Sequence, residues 1–76
     1  MNKDRRTKLK NILNEIETIN SRVEDVMFEE ETAFESIPEN LQGSLRYDEM
    51  EENIEKLSSI SNSLEEIINL IEELIS

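Results

Sequence analysis

The 76-residue chain has no cysteine, no histidine and no tryptophan, and only one glycine and one proline. Without cysteine or histidine there is no disulfide framework and no Cys/His zinc site. The nucleophile–base pairs of acyl-transfer enzymes also lose their usual base. No G-x-S-x-G, P-loop or G-x-G-x-x-G segment is present, and no alternating Asp/Asn calcium loop surrounds the glycine. A bundle di-metal site needs inward Glu-x-x-His motifs, which are missing. The expectation is a protein that is not an enzyme and has no metal or cofactor. No apolar run approaches the ~18 residues of a spanning helix. Residues 1–10 are basic, but no continuous apolar segment follows them, which argues against a signal peptide. A cytoplasmic location without membrane contact is therefore expected.

What the chain does have is charge and period. Its net charge is −11, unevenly spread. Lys3, Arg5, Arg6, Lys8 and Lys10 face only Asp4 in the first ten residues, whereas the remainder carries 18 acidic and 3 basic side chains. Such an acidic body repels nucleic-acid phosphates, so direct DNA binding is not expected, and it favours basic partner surfaces.

The apolar residues repeat every seven positions. With Leu9 at heptad position a, Ile16 and Val23 follow at a. Ile12, Ile19, Val26 and Ala33 fall at d, while Leu13, Met27 and Phe34 form a third line at e. After one interruption, Tyr47, Ile54, Ile68 and Ile75 take a, Met50, Leu57, Leu64 and Ile71 take d, and Ile60, Ile67 and Leu74 take g. The spacing predicts a helix over 3–35, a bend over 36–44 and a helix over 45–75, within one small domain. The fold class is all-α, an antiparallel two-helix hairpin. Three apolar positions per heptad are more than one hairpin seam covers, so assembly into a homo-oligomeric helical bundle is expected.

The bend reads Ser36-Ile37-Pro38-Glu39-Asn40-Leu41-Gln42-Gly43-Ser44. Ser36 and Glu39 have the spacing of a capping box and Pro38 suits a first helical turn. Gly43 suits a left-handed helix stop, and Ser44 an N-cap for the second helix. If the bend centres near residue 40, residues whose numbers add to about 81 lie level. Asn20 interrupts the e line and Ser61 the second a line, and their numbers add to 81. A buried polar layer that sets register follows as an expectation. The same folding-back puts Lys3 to Lys10 beside Glu65, Glu66, Glu72 and Glu73. Interhelical ion pairs there are one reading, and a basic arm for nucleic acid or lipid head groups is another.

Two stretches could bind something. At the bend end, residues 24–55 hold twelve carboxylates against Arg46 alone. Glu29, Glu30, Glu31, Glu35, Asp48, Glu49 and Glu52 are candidate contacts for a basic protein groove; the alternative is a solvated helix surface. In the bend, Gln42, Ser44, Arg46 and Tyr47 combine amide, hydroxyl, guanidinium and phenol groups suited to clamping a phosphate and stacking on a base. The alternative there is a cap in which Tyr47 packs on Phe34 and Arg46 pairs with a nearby Glu.

The stretch from Phe34 to Ser44, followed by Arg46 and Met50-Glu51-Glu52, resembles a family of small acidic proteins encoded by phages and prophages. Their usual form is close to P-E-S-L-Q-G-S-x-R, then M-E-E and a heptad tail. Pro38, Glu39, Leu41, Gln42, Gly43, Ser44 and Arg46 fit, and Asn40 stands where the pattern has Ser. The likeness covers roughly residues 30–75 and implies a phage protein acting in the cytoplasm of a bacterial host. Small acidic phage proteins often counter host defence. The function it suggests is a binding protein that inhibits a host factor through its acidic surface and bend. Alternatives are an oligomeric sponge for a cyclic-nucleotide defence signal, and a structural or regulatory coiled-coil protein.

Overall fold

The computed structural model describes residues 1–76 as an all-helical rod of 60 × 14 × 14 Å with no strands. Helix α1 spans Lys3–Glu35 and helix α2 spans Leu45–Ile75, and a 3-10 turn at Glu39–Leu41 lies between them. At 33 residues α1 is about 50 Å long, which sets the length of the rod.

Neither helix contains glycine or proline. Asn2 begins α1: its side-chain oxygen accepts from the Arg5 amide at 2.9 Å, which satisfies one of the four amides left free at a helix start. The hydroxyls of Thr7, Thr18 and Thr32 donate to carbonyls four residues back, so these less favoured helix residues use their polar groups locally. The helix stops one turn before Pro38, whose ring disfavours helical backbone at Ile37. Ser44 begins α2, its hydroxyl oxygen accepting from the Tyr47 amide at 3.2 Å.

Two local expectations fail. Ser36 does not cap the turn that follows it. Its hydroxyl donates back to the Thr32 carbonyl at 2.8 Å and closes α1, while the extended Pro38 precedes the 3-10 turn. Gly43 is not in the left-handed region, since no glycine has positive φ. The bend is made instead by tandem turns in which Leu41, Gln42 and Ser44 donate to carbonyls three residues back. None of these needs a glycine.

The two helices pack along their whole length, and α1 uses only two of its three apolar lines. Its inward residues are Leu9, Ile16 and Val23 together with Leu13, Asn20, Met27 and Phe34. The line of Ile12, Ile19 and Val26 is left largely exposed. In α2 the inward lines are Tyr47, Ile54, Ser61, Ile68 and Ile75 with Met50, Leu57, Leu64 and Ile71, and Ile60, Ile67 and Leu74 are left out. A two-helix contact has room for two lines per helix, so the third is surplus on each. The resulting core is thin: only Leu13, Asn20, Met50, Ser61 and Ile71 are buried.

Two contacts fix the register. The buried Ser61 hydroxyl donates to the Asn20 side-chain oxygen at 3.1 Å. The Phe34 and Tyr47 rings stack with centroids 4.4 Å apart. In both pairs the residue numbers add to 81, and the polar layer lies at mid-rod.

Candidate functional site

The same two contacts divide the hairpin into two sides. They show that the Leu13–Phe34 line of α1 faces the Tyr47–Ile75 line of α2. The lines that flank this pair must then share one side of the hairpin. In α1 the flank is Lys10, Glu17, Glu24 and Glu31, and in α2 it is Glu51, Ser58, Glu65 and Glu72. The lines beyond the other inward pair share the opposite side. They read Arg5, Ile12, Ile19, Val26, Ala33 in α1 and Arg46, Asn53, Ile60, Ile67, Leu74 in α2. One side is thus lined with carboxylates, and the flanks of the other contain none.

The apolar side carries an open groove in which Ile19, Val23 and Val26 of α1 meet Leu57 of α2, with Arg22 and Asp25 also lining it. Ile12, Ile19, Val26, Ile60, Ile67 and Leu74 are between 42% and 53% exposed, half covered by the seam and half open. Outside them runs a rim of Lys8, Glu15, Arg22 and Glu29 on α1 and Glu49, Lys56, Ser63 and Leu70 on α2. All three cations beyond residue 10 lie on this side: Arg22 and Lys56 on the rim, Arg46 on the flank.

The structure does not gather the seven candidate carboxylates onto one face. Glu31 is on the acidic flank, with Glu35 and Asp48 just outside it. Glu30 lies on the seam and is half-buried. Glu29 and Glu49 are on the rim of the apolar side, and Glu52 is on the outer surface of α2. The continuous acidic surface at the bend end is Glu24, Glu31 and Glu35 with Asp48, Glu51 and Glu55. Three of those six were not among the candidates. Their helical spacing from Asn20 and Ser61 was the signal that could have found them.

In the bend, Tyr47 is committed to the stack on Phe34 and the Ser44 oxygen to capping α2, as the cap alternative expects. Gln42 and Arg46 are exposed. Arg46 has no carboxylate within ion-pair distance, so the pairing expected for it is not made. Nor are ion pairs made between Lys3–Lys10 and the end of α2. The one ion pair in the chain is local, Lys8 to Asp4 at 3.2 Å, and well exposed. No three carboxylates converge closely enough to hold a metal ion, and no helix is long and apolar enough to cross a membrane. Comparison with protein-family models, with curated proteins and with solved structures finds no match.

Proposed function

We propose that the chain is a self-associating, non-enzymatic binding protein. It covers its apolar side with further copies of itself and engages a basic partner protein through its acidic side. The observation that carries this reading is the segregation of the two kinds of side chain. Carboxylates crowded on one side repel one another and cost stability, while half-exposed isoleucines on the other leave apolar surface in water. Both are explained if each side has its own partner. In the setting that the bend motif suggests, a phage protein in a bacterial cytoplasm, the basic partner is a host factor, a defence component, which the acidic surface occludes. The nucleotide-sponge alternative is weaker, because the Tyr47 ring face and the Ser44 oxygen already have partners within the hairpin.

The test is capture from a bacterial host lysate on immobilised protein, side by side with the Glu24→Lys/Glu31→Lys/Glu51→Lys variant. The reading expects a basic protein that is retained by the first, released by salt and lost by the second, with helix content equal in both. Retention that is indifferent to charge reversal and salt would refute it, as would the absence of any saturable partner.

A further inference from the structure

We propose that the apolar side is covered by a second copy of this chain whose rod runs antiparallel to the first, with a two-fold axis crossing the interface beside Ile19. This deepens the self-association proposed above and rests on it.

The occupant is argued from the charges on the rim. Along α1 the rim reads Lys8, Glu15, Arg22, Glu29, alternating in sign at every step. A four-member alternation read backwards has the opposite sign at each place. When α1 lies antiparallel on the α1 of a second copy, Lys8 therefore meets Glu29 and Glu15 meets Arg22, and the symmetry makes each pair twice. The midpoint of that pairing falls between residues 18 and 19. The flank line has the same centre: Ile19 meets its own counterpart, and Ile12 meets Val26. A C2 contact requires self-complementarity of this kind.

Helix α2 accommodates the same axis. Its flank pairs Ile60 with Ile67 when the axis passes near Ser63, and its rim then lays the Lys56 stem along Leu70. Ser63 lies within about one residue, roughly 2 Å, of the level of Ile19 in the register set by Asn20 and Ser61. One axis can thus serve both helices of the hairpin. The paired strip, residues 8–29 of α1, is about 30 Å long.

Long-range electrostatics selects the same direction. Rods side by side in one direction would put two bend ends together, each with twelve carboxylates against one guanidinium between residues 24 and 55. Reversed rods set the basic first ten residues of each copy beside that acidic stretch of the other. Lys3, Arg5, Arg6 and Lys10 make no ion pair within the hairpin, and Arg22 and Lys56 make none either. In this arrangement the acidic sides face outward and the bends project free at opposite ends.

Because the chain has no cysteine, disulfide trapping tests the geometry directly. The Ile19→Cys chain is expected to form a covalent dimer, twice 8.9 kDa, under mild oxidation. A mixture of Ile12→Cys and Val26→Cys chains should cross-link to each other, while Ile12→Cys alone should not. Rods packed in the same direction would instead cross-link Ile12→Cys with Ile67→Cys chains. That result would overturn this arrangement and leave self-association standing. A monomer mass for the unaltered chain at high concentration would remove both. Charge exchange gives a check without cysteines. Arg22→Glu should weaken dimerisation roughly tenfold, and adding Glu15→Arg should restore it. Absence of rescue in a helical, folded double variant would also refute the pairing.

Discussion

Replacing the polar layer by leucine, Asn20→Leu with Ser61→Leu, should make the hairpin more stable and less uniform. Ser61 and Asn20 are among the five buried residues, and their hydrogen bond is the only side-chain bond between the helices. Such a bond contributes a net ~0.5–1.5 kcal/mol, and the double change removes both partners, so no orphaned group is left behind. Asn to Leu keeps the branched shape and the number of heavy atoms and adds only the bulk of two methyl groups. Ser to Leu adds three carbons, each worth about 0.8 kcal/mol if fully buried, against an overpacking cost of about 1–3 kcal/mol. The thin, solvent-flanked core can relax around the larger side chain, which keeps that cost at the low end. These terms leave a balance of about 0–1 kcal/mol in favour of the double variant, or up to several degrees in Tm for a chain of this size.

The single variants should be unequal. Ser61→Ala leaves the Asn20 oxygen buried without its donor and should cost about 1 kcal/mol or more. In Asn20→Leu the Ser61 hydroxyl can turn to the carbonyl four residues back in its own helix, so the loss is smaller. Thermal unfolding followed by helix circular dichroism, at several protein concentrations because the proposed association would be coupled to folding, measures all three. Light scattering supplies the second half of the prediction. An unbroken apolar seam no longer rejects shifted or exchanged pairings, so the double variant should spread over more than one mass. A double variant that is less stable than the parent, yet keeps a single unchanged mass, would show that the layer is not a register device.

Three further outcomes follow from the same geometry. Gly43→Ala should stabilise by about 0.4–1 kcal/mol, because Gly43 has no positive φ and open space where the Cβ would go, so the change acts on the unfolded chain; a loss of stability in urea unfolding would contradict that. Raising the ionic strength from about 0.01 to about 1 M shortens the Debye length from about 30 to about 3 Å, so Tm should rise as carboxylate repulsion is screened, and a fall would mean that attractive pairs dominate. Sedimentation should show a mass that reaches a plateau with concentration; continued growth would contradict one-sided association.

The hairpin was legible because its signals agree at several levels. Seven-residue spacing, the N-cap Ser44 and a single proline–glycine segment all divide the chain in the same way. The register was legible as well, since Asn20 and Ser61 are mirror-image interruptions of otherwise apolar lines. The choice of seam was not legible in hydropathy. In α1 the three lines at Leu9, Ile12 and Leu13 are about equally apolar, and hydropathy alone does not say which two face the partner. Asn20 and Ser61 held the answer: if they face each other, the Leu13 line must be inward and the Ile12 line must be the one left over. The bend was misread at Ser36 and Gly43 for a local reason. Cap patterns specify a residue's preferred role, but the hydroxyl of Ser36 had a carbonyl of α1 within reach before any turn formed. The acidic site was only half legible, since a count of carboxylates along the chain carries no information about the side of the rod on which each one falls.

Sidedness also bears on how far assembly proceeds. A helix with apolar residues all around would associate in any direction, and a surface complementary to a different surface of the next copy can propagate into a filament. Here the flank lines of the apolar side contain no carboxylate, and the opposite flanks carry Glu17, Glu24, Glu31, Glu51, Glu65 and Glu72. If the apolar sides meet as proposed, what remains outward is acidic on every copy and would repel further copies of the same kind. In the proposed assembly, carboxylate repulsion would therefore act as a stop on association, a negative element set against self-addition. It leaves open only surfaces of opposite charge. The crowding of carboxylates and the excess of isoleucine then belong to one arrangement: the first limits what the second can build, and the second holds the first outward, where a basic partner can reach it.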